Sequence, residues 1–506
     1  MNNLFDALVG RHVSSGRGAA IALTAEGVGQ WSYEQLANAA AQMAGALREF
    51  GVAAGDRVVV QVGKSAQALA LYLGVLRMGA TYVPLNTDYT AAEVARFLAD
   101  AEPTLFVAGQ ASIDATLPLM PPYRIPAASL EVDGTGSLAA RSIAAAPDAD
   151  VHDVSEDDIA AILFTSGTTG RSKGAMLTHG NLAFMARALC EGWGIGSSDV
   201  LLHVLPMFHA HGLFIAANPM LHAGGKILLL PRFTVDAVLA HLPVSTVFMG
   251  VPTFYTRLLA DEGLTRDACA SIRLFTSGSA PLSAETFLEF ERRTGHTLLE
   301  RYGLTETTVV SSNPLHGERV PGTVGYPLTG VEVRLAGAES HLSAPEVGEL
   351  EVRGPNVFKG YWRMPQNTAE VMHADGFFRT GDIARIDADG RITLVGRSKD
   401  LIITGGYNVY PREVEEVLCG TPGIRDAAVI GIPHPDFGEG VVAVAERDVG
   451  VTCPTEAEVL AAASKVLAKY KVPKRLFYVD ALPRNAMGKV LKSDLRDLLA
   501  SAFSVV

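Results

Sequence analysis

The sequence predicts an α/β protein built on largely parallel sheets and continued by a β-rich part, and two features of its patterning carry this. Apolar runs bounded by Gly or Pro alternate with Ala-rich amphipathic stretches through the first three quarters of the chain, which marks βα units. From about residue 320 the pattern turns to short strands set between turn residues. Taken in order, DRVVVQV (56–62) predicts a strand, SAQALALYLGVLRMGA (65–80) a helix and TYVPL (81–85) the next strand. A second cycle runs through DVLLHVLP (199–206), GGKILLLP (224–231), STVFMG (245–250), a helix opening at Pro252, and SIRLFTSGSAP (271–281). GELEVRGP (348–355) and GRITLVGR (390–397) are the short strands of the β-rich part, and an Ala-rich tract near 138–150 reads as a linker.

A length of 506 residues allows about three domains. With 48% hydrophobic and 19% charged residues the chain can bury a large core, which excludes intrinsic disorder. Lys and Arg total 42 against 54 Asp and Glu, and a net charge of −12 excludes a nucleic-acid partner. The longest apolar stretch, Ala66 to Leu85, is broken by Gln67, Arg77 and two glycines, and the N-terminus lacks a basic region followed by an apolar one. No membrane span and no secretory signal are therefore expected. Cys190, Cys269, Cys419 and Cys453 are widely spaced without a CxxC pair, so neither a disulfide framework nor a cysteine zinc site is expected, and the compartment is a reducing cytoplasm. Charge is uneven: from Lys465 onward nine Lys or Arg face three Asp. That basic segment carries PRNAMGK (483–489), a turn suited to presenting Lys489 to an anion.

The strongest local signal is AAILFTSGTTGRSKG (160–174). A buried strand runs into Thr165, Ser166, Gly167, Thr168, Thr169, Gly170, Arg171, Ser172 and Lys173. Glycines let backbone N–H groups curl around an anion, hydroxyls add donors and the basic residues add charge, which suits a polyphosphate. Gly174 follows Lys173 where a Walker A loop needs Ser or Thr, so a P-loop NTPase is disfavoured. ERYGLTET (300–307) adds an aromatic face in Tyr302 and a hard oxygen ligand for Mg2+ in Glu306. FFRTGDIARID (377–387) places Asp382 in a turn, and GRSKDLIITGGYNVYPREVE (396–415) sets Arg397 after a strand and Gly405-Gly406 where backbone can approach closely.

In this order the motifs resemble the adenylate-forming superfamily of acyl-CoA synthetases, luciferases and peptide-synthetase adenylation domains, and the likeness runs from WSYEQL (31–36) to GKVLKSDLR (488–496). The resemblance implies an enzyme that forms acyl-AMP and pyrophosphate from a carboxylate and ATP, then passes the acyl group to the thiol of coenzyme A. It implies two domains, 1–397 binding nucleotide and acid and a small α+β domain, 398–506, that rotates about a hinge at Lys399. Thr165 to Lys173 would hold the β- and γ-phosphates. Ser277, Gly278, Ser279, Ala280 and Pro281 with Tyr302 and Gly303 would frame the adenine, Thr305 would bond the α-phosphate and Glu306 would bind Mg2+. Asp382 and Arg397 would take the ribose hydroxyls. Lys489 would be the adenylation lysine, needed because charge builds on the carboxylate and α-phosphate during in-line attack. Gly405 and Gly406 would face the pantetheine arm of coenzyme A. Lys489 also resembles the site at which lysine acetyltransferases silence related synthetases, which implies such an enzyme as a partner.

For the acid, GVPTFYTRLL, LPMFHAHGLF, LFTSGSAPL and RVPGTVGYPL resemble malonyl-CoA synthetases, which implies malonate, and often methylmalonate, as substrate. Thr253 and Arg257 stand at i and i+4 on the helix from Pro252. By the resemblance Arg257 grips the distal carboxylate while His209, Ser277 and Leu304 shape the pocket; otherwise Arg257 points outward and pairs with Asp261 or Glu262. Leu304 and Ala210 depart from the commoner Met and Thr. A short monocarboxylate as substrate, a carrier protein as acyl acceptor and a non-catalytic sensor are the competing readings, the last disfavoured by the presence of both Lys489 and Glu306.

Overall fold

The computed structural model describes residues 2–25, 28–120, 125–148, 150–165, 172–336, 346–448, 451–500 and 502–503. The first βα cycle forms as its pattern requires. Strand β1 (Arg57–Gln61) and β2 (Thr81–Pro84) flank helix α1 (Ala66–Arg77), whose first turn is capped by the Ser65 hydroxyl accepting from the Ala68 N–H. Helix α1 is buried all round, and so needs no polar face. β1 and β2 run parallel, β2 pairs parallel with β3 (Ile159–Thr165), and β3 turns back antiparallel as β4 (Lys173–Thr178). With Leu105–Ala108, Ala127–Ser129 and the short Gly360–Tyr361 these make a seven-stranded sheet.

A nine-stranded sheet holds the second cycle. Strands β5 (Val200–His203), β6 (Val247–Gly250), β7 (Leu274–Ser277) and β8 (Leu299–Tyr302) lie side by side and parallel. Lys226–Leu229 and Ile21–Ala25 extend the parallel run beyond β5, and antiparallel strands close both edges. Helix α2 (Pro252–Leu259) leaves β6 with Pro252 in its first turn, as a missing N–H allows. The β-rich part is a four-stranded antiparallel sheet of Glu332–Leu335, Glu346–Arg353, β9 (Phe378–Ile386) and β10 (Ile392–Arg397).

The Ala-rich tract is no linker. Ser137–Ala144 is a helix with Leu138 and Ala139 buried. Beyond it the Ala146 carbonyl presses so closely on Gly45 that a Cβ there would stand 2.1 Å away, and Asp148 pairs with Arg48 at 2.8 Å. Alanines at helical spacing beside one leucine suffice to pin it down.

A single turn, Ser398–Asp400, leads from β10 into the C-terminal sheet, which opens with β11 (Ile402–Thr404). β11 pairs with β13 (Gly438–Arg447), which lies between β12 (Ile424–His434) and the parallel β14 (Arg475–Val479). Helix α3 (Pro411–Cys419) packs on β12. This smaller unit has its own core of Val414, Leu418, Val429, Val441, Ala443 and neighbours. Among the described residues no helix is long and apolar enough to cross a membrane.

Candidate active site

The parallel strands β5 to β8 end at one level, and the chain segments leaving that edge build the site. The register sets Gly250 beside Ser277 and Ser277 beside Glu300, so Pro252, Gly278 and Arg301 follow in a row. Loops at the carboxyl edge of a parallel sheet are where α/β proteins place ligands.

At the phosphate end, β3 and β4 form a hairpin whose mouth is closed by the Thr165↔Lys173 pair, with the Thr165 hydroxyl donating to the Lys173 carbonyl at 3.3 Å. Ser166, Gly167, Thr168, Thr169 and Gly170, assigned to the phosphates, lie outside the described residues. The Lys173 ammonium stands 5.0 Å from the centre of the Tyr361 ring, and the Tyr361 hydroxyl donates to Glu306 Oε1 at 2.9 Å. Lys173 and Glu306 are thus joined through one aromatic ring, a cation and a hard anion at one end of the cleft. Among the described residues no cluster of three or more His, Cys, Asp or Glu side chains could hold a metal by itself. A single carboxylate suits an ion whose remaining ligands are phosphate and water.

The turn after β8 is compelled to start with glycine, because a Cβ on Gly303 would stand 1.9 Å from the Thr308 carbonyl oxygen. It carries Leu304, Thr305 and Glu306 as half-buried residues, and the Leu304 N–H is held by the Thr307 hydroxyl at 3.2 Å. Tyr302 is buried and donates to Asp382 Oδ2 at 2.6 Å, while Arg397 Nε donates to Asp382 Oδ1 at 2.8 Å. Burial and the adjacent Asp382 carboxylate keep the Tyr302 phenol protonated. The two ribose candidates are therefore paired with each other and braced by the adenine candidate.

The acyl side holds a second arginine besides the one the sequence reading named. Arg257 is exposed on α2, its guanidinium 5.6 Å from the centre of the Phe233 ring, which stacks on Phe254. It forms no ion pair with Asp261 or Glu262 among the described residues. The helix turns its buried side, Tyr255 and Leu258, to the core, and Arg257 falls on the other. The charge inside is Arg301, 4% exposed, with Nε and Nη2 lacking any partner among the described residues. Its guanidinium fills the space beside Gly278, where a Cβ would be 2.4 Å from Arg301 Nε. Burial pulls the Arg301 pKa down to about 10. Ser277 Oγ is buried and likewise unpartnered, Ser279 adopts a positive φ of 71°, and Ala280 and Pro281 complete the segment.

The cap seats Lys489 against this cleft. Arg484 and Val490 bridge a hairpin-like loop in which the Asn485 side chain accepts from the N–H groups of Met487 and Lys489, both at 3.0 Å. Met487 is buried in the main core of the large domain. Gly488 is left-handed and lies so near α2 that a Cβ on it would approach Thr253 Oγ1 to 2.8 Å. Lys489 opens onto the cleft, yet protein around it lowers its pKa to about 8, through burial first and then the charge of Arg397, with Asp382 acting against them. Lys399 is exposed in the turn between the sheets, and burial of its ammonium lowers its pKa. Gly405 and Gly406 are exposed at a hairpin tip, both with positive φ.

The AMP-binding enzyme family matches residues 11–362, and the AMP-binding enzyme C-terminal domain matches residues 413–489. A malonate–CoA ligase of Arabidopsis thaliana is 36% identical over 490 residues, which is 89% of this chain and 79% of that protein. The mitochondrial malonate–CoA ligase ACSF3 of Mus musculus is 38% identical, covering 82% of this chain and 77% of its own length. The crystal structure of ATP-bound MatB from Rhodopseudomonas palustris superposes with a TM-score of 0.95 at 46% identity, over 99% of this chain and 100% of that one. The two-part fold and the extent of these matches agree: the chain belongs to the family of AMP-binding enzymes.

Proposed function

We propose that the chain is an AMP-forming malonate–CoA ligase, acting in the cytoplasm on malonate, ATP and coenzyme A. The observation that carries the choice of acid is Arg301. An ion buried without a partner costs several kcal/mol, roughly, and a pocket for acetate, propionate or an apolar acid would leave that cost standing. A second carboxylate on the substrate supplies the partner, in the planar geometry that a guanidinium prefers. The malonate–CoA ligases among the relatives support the same acid.

In the first half-reaction the proximal carboxylate attacks the α-phosphorus of ATP, and pyrophosphate leaves. Thr165 and Lys173, with Ser166 to Gly170, hold the leaving phosphates. Thr305 bonds the α-phosphate, Tyr302 and Ser277 to Pro281 frame the adenine, and Asp382 and Arg397 take the ribose. Lys489 donates to the oxygens where charge accumulates. Mg2+ bound by Glu306 would screen the polyphosphate, lowering its repulsion for the incoming carboxylate. The second half-reaction needs the cap to turn about Lys399 so that Gly405 and Gly406 replace Lys489 at the cleft and the coenzyme A thiol displaces AMP. His209 and Leu304 line the route of the acid. A lysine acetyltransferase acting on Lys489 would abolish its charge and with it the first half-reaction. Pyrophosphate release with malonate, methylmalonate, acetate and propionate tests the reading. Malonate or methylmalonate should lead the monocarboxylates by about a hundredfold or more in kcat/KM, since rejecting a substrate that leaves a buried group unpaired is strong discrimination. Equal turnover of acetate would overturn it.

A further inference from the structure

Beside Arg301 lies a second buried group with one ring nitrogen unpartnered among the described residues. His211 is 1% exposed, and its Nε2 has no partner among the described residues. Its other nitrogen is fixed, with Nδ1 and Ser279 Oγ 3.1 Å apart, and Ser279 holds that position in a left-handed backbone conformation that costs energy in any residue bearing a side chain.

The groups acting on His211 are all basic. From its own segment comes His209, whose Nδ1 accepts the His211 backbone N–H at 3.3 Å. From β5 comes His203, its Nε2 2.8 Å from the Gly212 carbonyl. Behind His203, the buried Lys64 ammonium donates to the His203 and Leu205 carbonyls at 3.2 and 3.0 Å. From β8 comes Arg301. Burial first, and then Arg301, His209 and His203, hold the His211 pKa well below the ordinary value, so the ring is neutral at physiological pH. Among the described residues, the three side chains acting on this buried histidine, Arg301, His209 and His203, bring no negative charge to it.

We propose that His211 is a second determinant of acid specificity: when the distal carboxylate pairs with Arg301, His211 takes up one proton from solvent and donates from Nε2 to that carboxylate. Both ring nitrogens are then donors, Nδ1 to Ser279 Oγ and Nε2 to the substrate. An opposite charge brought into a low-dielectric space favours the charged form of the group it meets. The proton therefore enters with a dicarboxylate and not with a monocarboxylate. This rests on the malonate reading of the same pocket.

Calorimetric titration of malonate into the full chain, saturated with α,β-methylene-ATP, tests it near neutral pH in buffers of differing ionisation enthalpy. The slope of observed enthalpy against buffer ionisation enthalpy counts protons, and the wild-type protein should take up about one per malonate and about none with acetate. His211→Gln should bring the malonate slope close to zero and weaken malonate about tenfold. A His211→Asn variant and the thermal midpoints of both keep a folding defect from imitating this result, and the wild-type slope needs no substitution. Malonate binding to wild type with a slope of zero, or a His211→Gln slope equal to wild type, overturns the proposal. Failure of malonate to bind while acetate binds overturns the malonate reading itself.

Discussion

Tyr302 and Asp382, eighty residues apart in the chain, meet in a 2.6 Å hydrogen bond between the end of β8 and the middle of β9. With Arg397 on the other carboxylate oxygen, one buried acid ties the nine-stranded sheet to the antiparallel sheet that leads into the cap. Tyr302→Phe removes one donor and leaves Asp382 less firmly oriented. Loss of a hydrogen bond to a charged acceptor is worth about 1.5–3 kcal/mol. The KM for ATP, measured by ATP–pyrophosphate exchange, should rise about tenfold with a smaller change in kcat.

Lys489 should govern the alkaline limb of the first half-reaction. Its pKa of about 8 means that it is charged below that pH and neutral above it. Adenylation in the free enzyme, followed as kcat/KM for pyrophosphate release, should therefore fall about tenfold per pH unit above the pKa. Lys489→Ala should lower adenylation by about a hundredfold to a thousandfold. Conversion of synthetic acyl-AMP to the thioester should continue in the same variant.

Arg301→Met is expected to separate stability from activity. Replacing an unpaired buried cation by an apolar chain of similar length removes a desolvation cost, so the unfolding free energy should rise by about 1 kcal/mol or more. Malonate activation should fall about a hundredfold in kcat/KM.

Glu300 should make the fold less stable as pH rises. Burial pushes its pKa up to about 7, with Arg412 of α3 in the cap acting against the shift. A folded-state pKa above the unfolded value means that the folded chain holds the extra proton, so the stabilisation is complete below pH about 4.5 and is lost towards pH 7. The shift corresponds to about 3 kcal/mol. Urea midpoints across this window should decline for wild type and much less for Glu300→Gln. Arg412→Met should extend the decline to higher pH.

Much of this arrangement was legible in the sequence where local pattern and local structure coincide. β1, α1 and β2 fall inside the three runs that predict them, and Pro252 starts α2 as a residue without an N–H must. Gly405-Gly406 proved to be a hairpin tip, a conformation that Gly pairs announce. Arg301 was not legible in the same way. Helical spacing places Arg257 opposite Tyr255 and Leu258 only once it is known which side the core takes. Arg301 lay inside the motif already singled out, one residue before Tyr302, as a charged residue in the strand Leu299–Tyr302 with every position buried. That mismatch between charge and an enclosed strand was the available signal. Its aim depends on Gly278 in the neighbouring strand's exit, a pairing that no local window contains.

The close fit of Gly278 and Arg301 also couples two positions near the ends of different strands. The guanidinium occupies the volume that any side chain at 278 would claim, so an arginine appearing at 301 first would find its seat taken. The two positions therefore constrain each other: Arg301 keeps its place only while residue 278 has no side chain. A side chain introduced at 278 while Arg301 stays should accordingly damage the enzyme more than the same change made beside a smaller residue at 301.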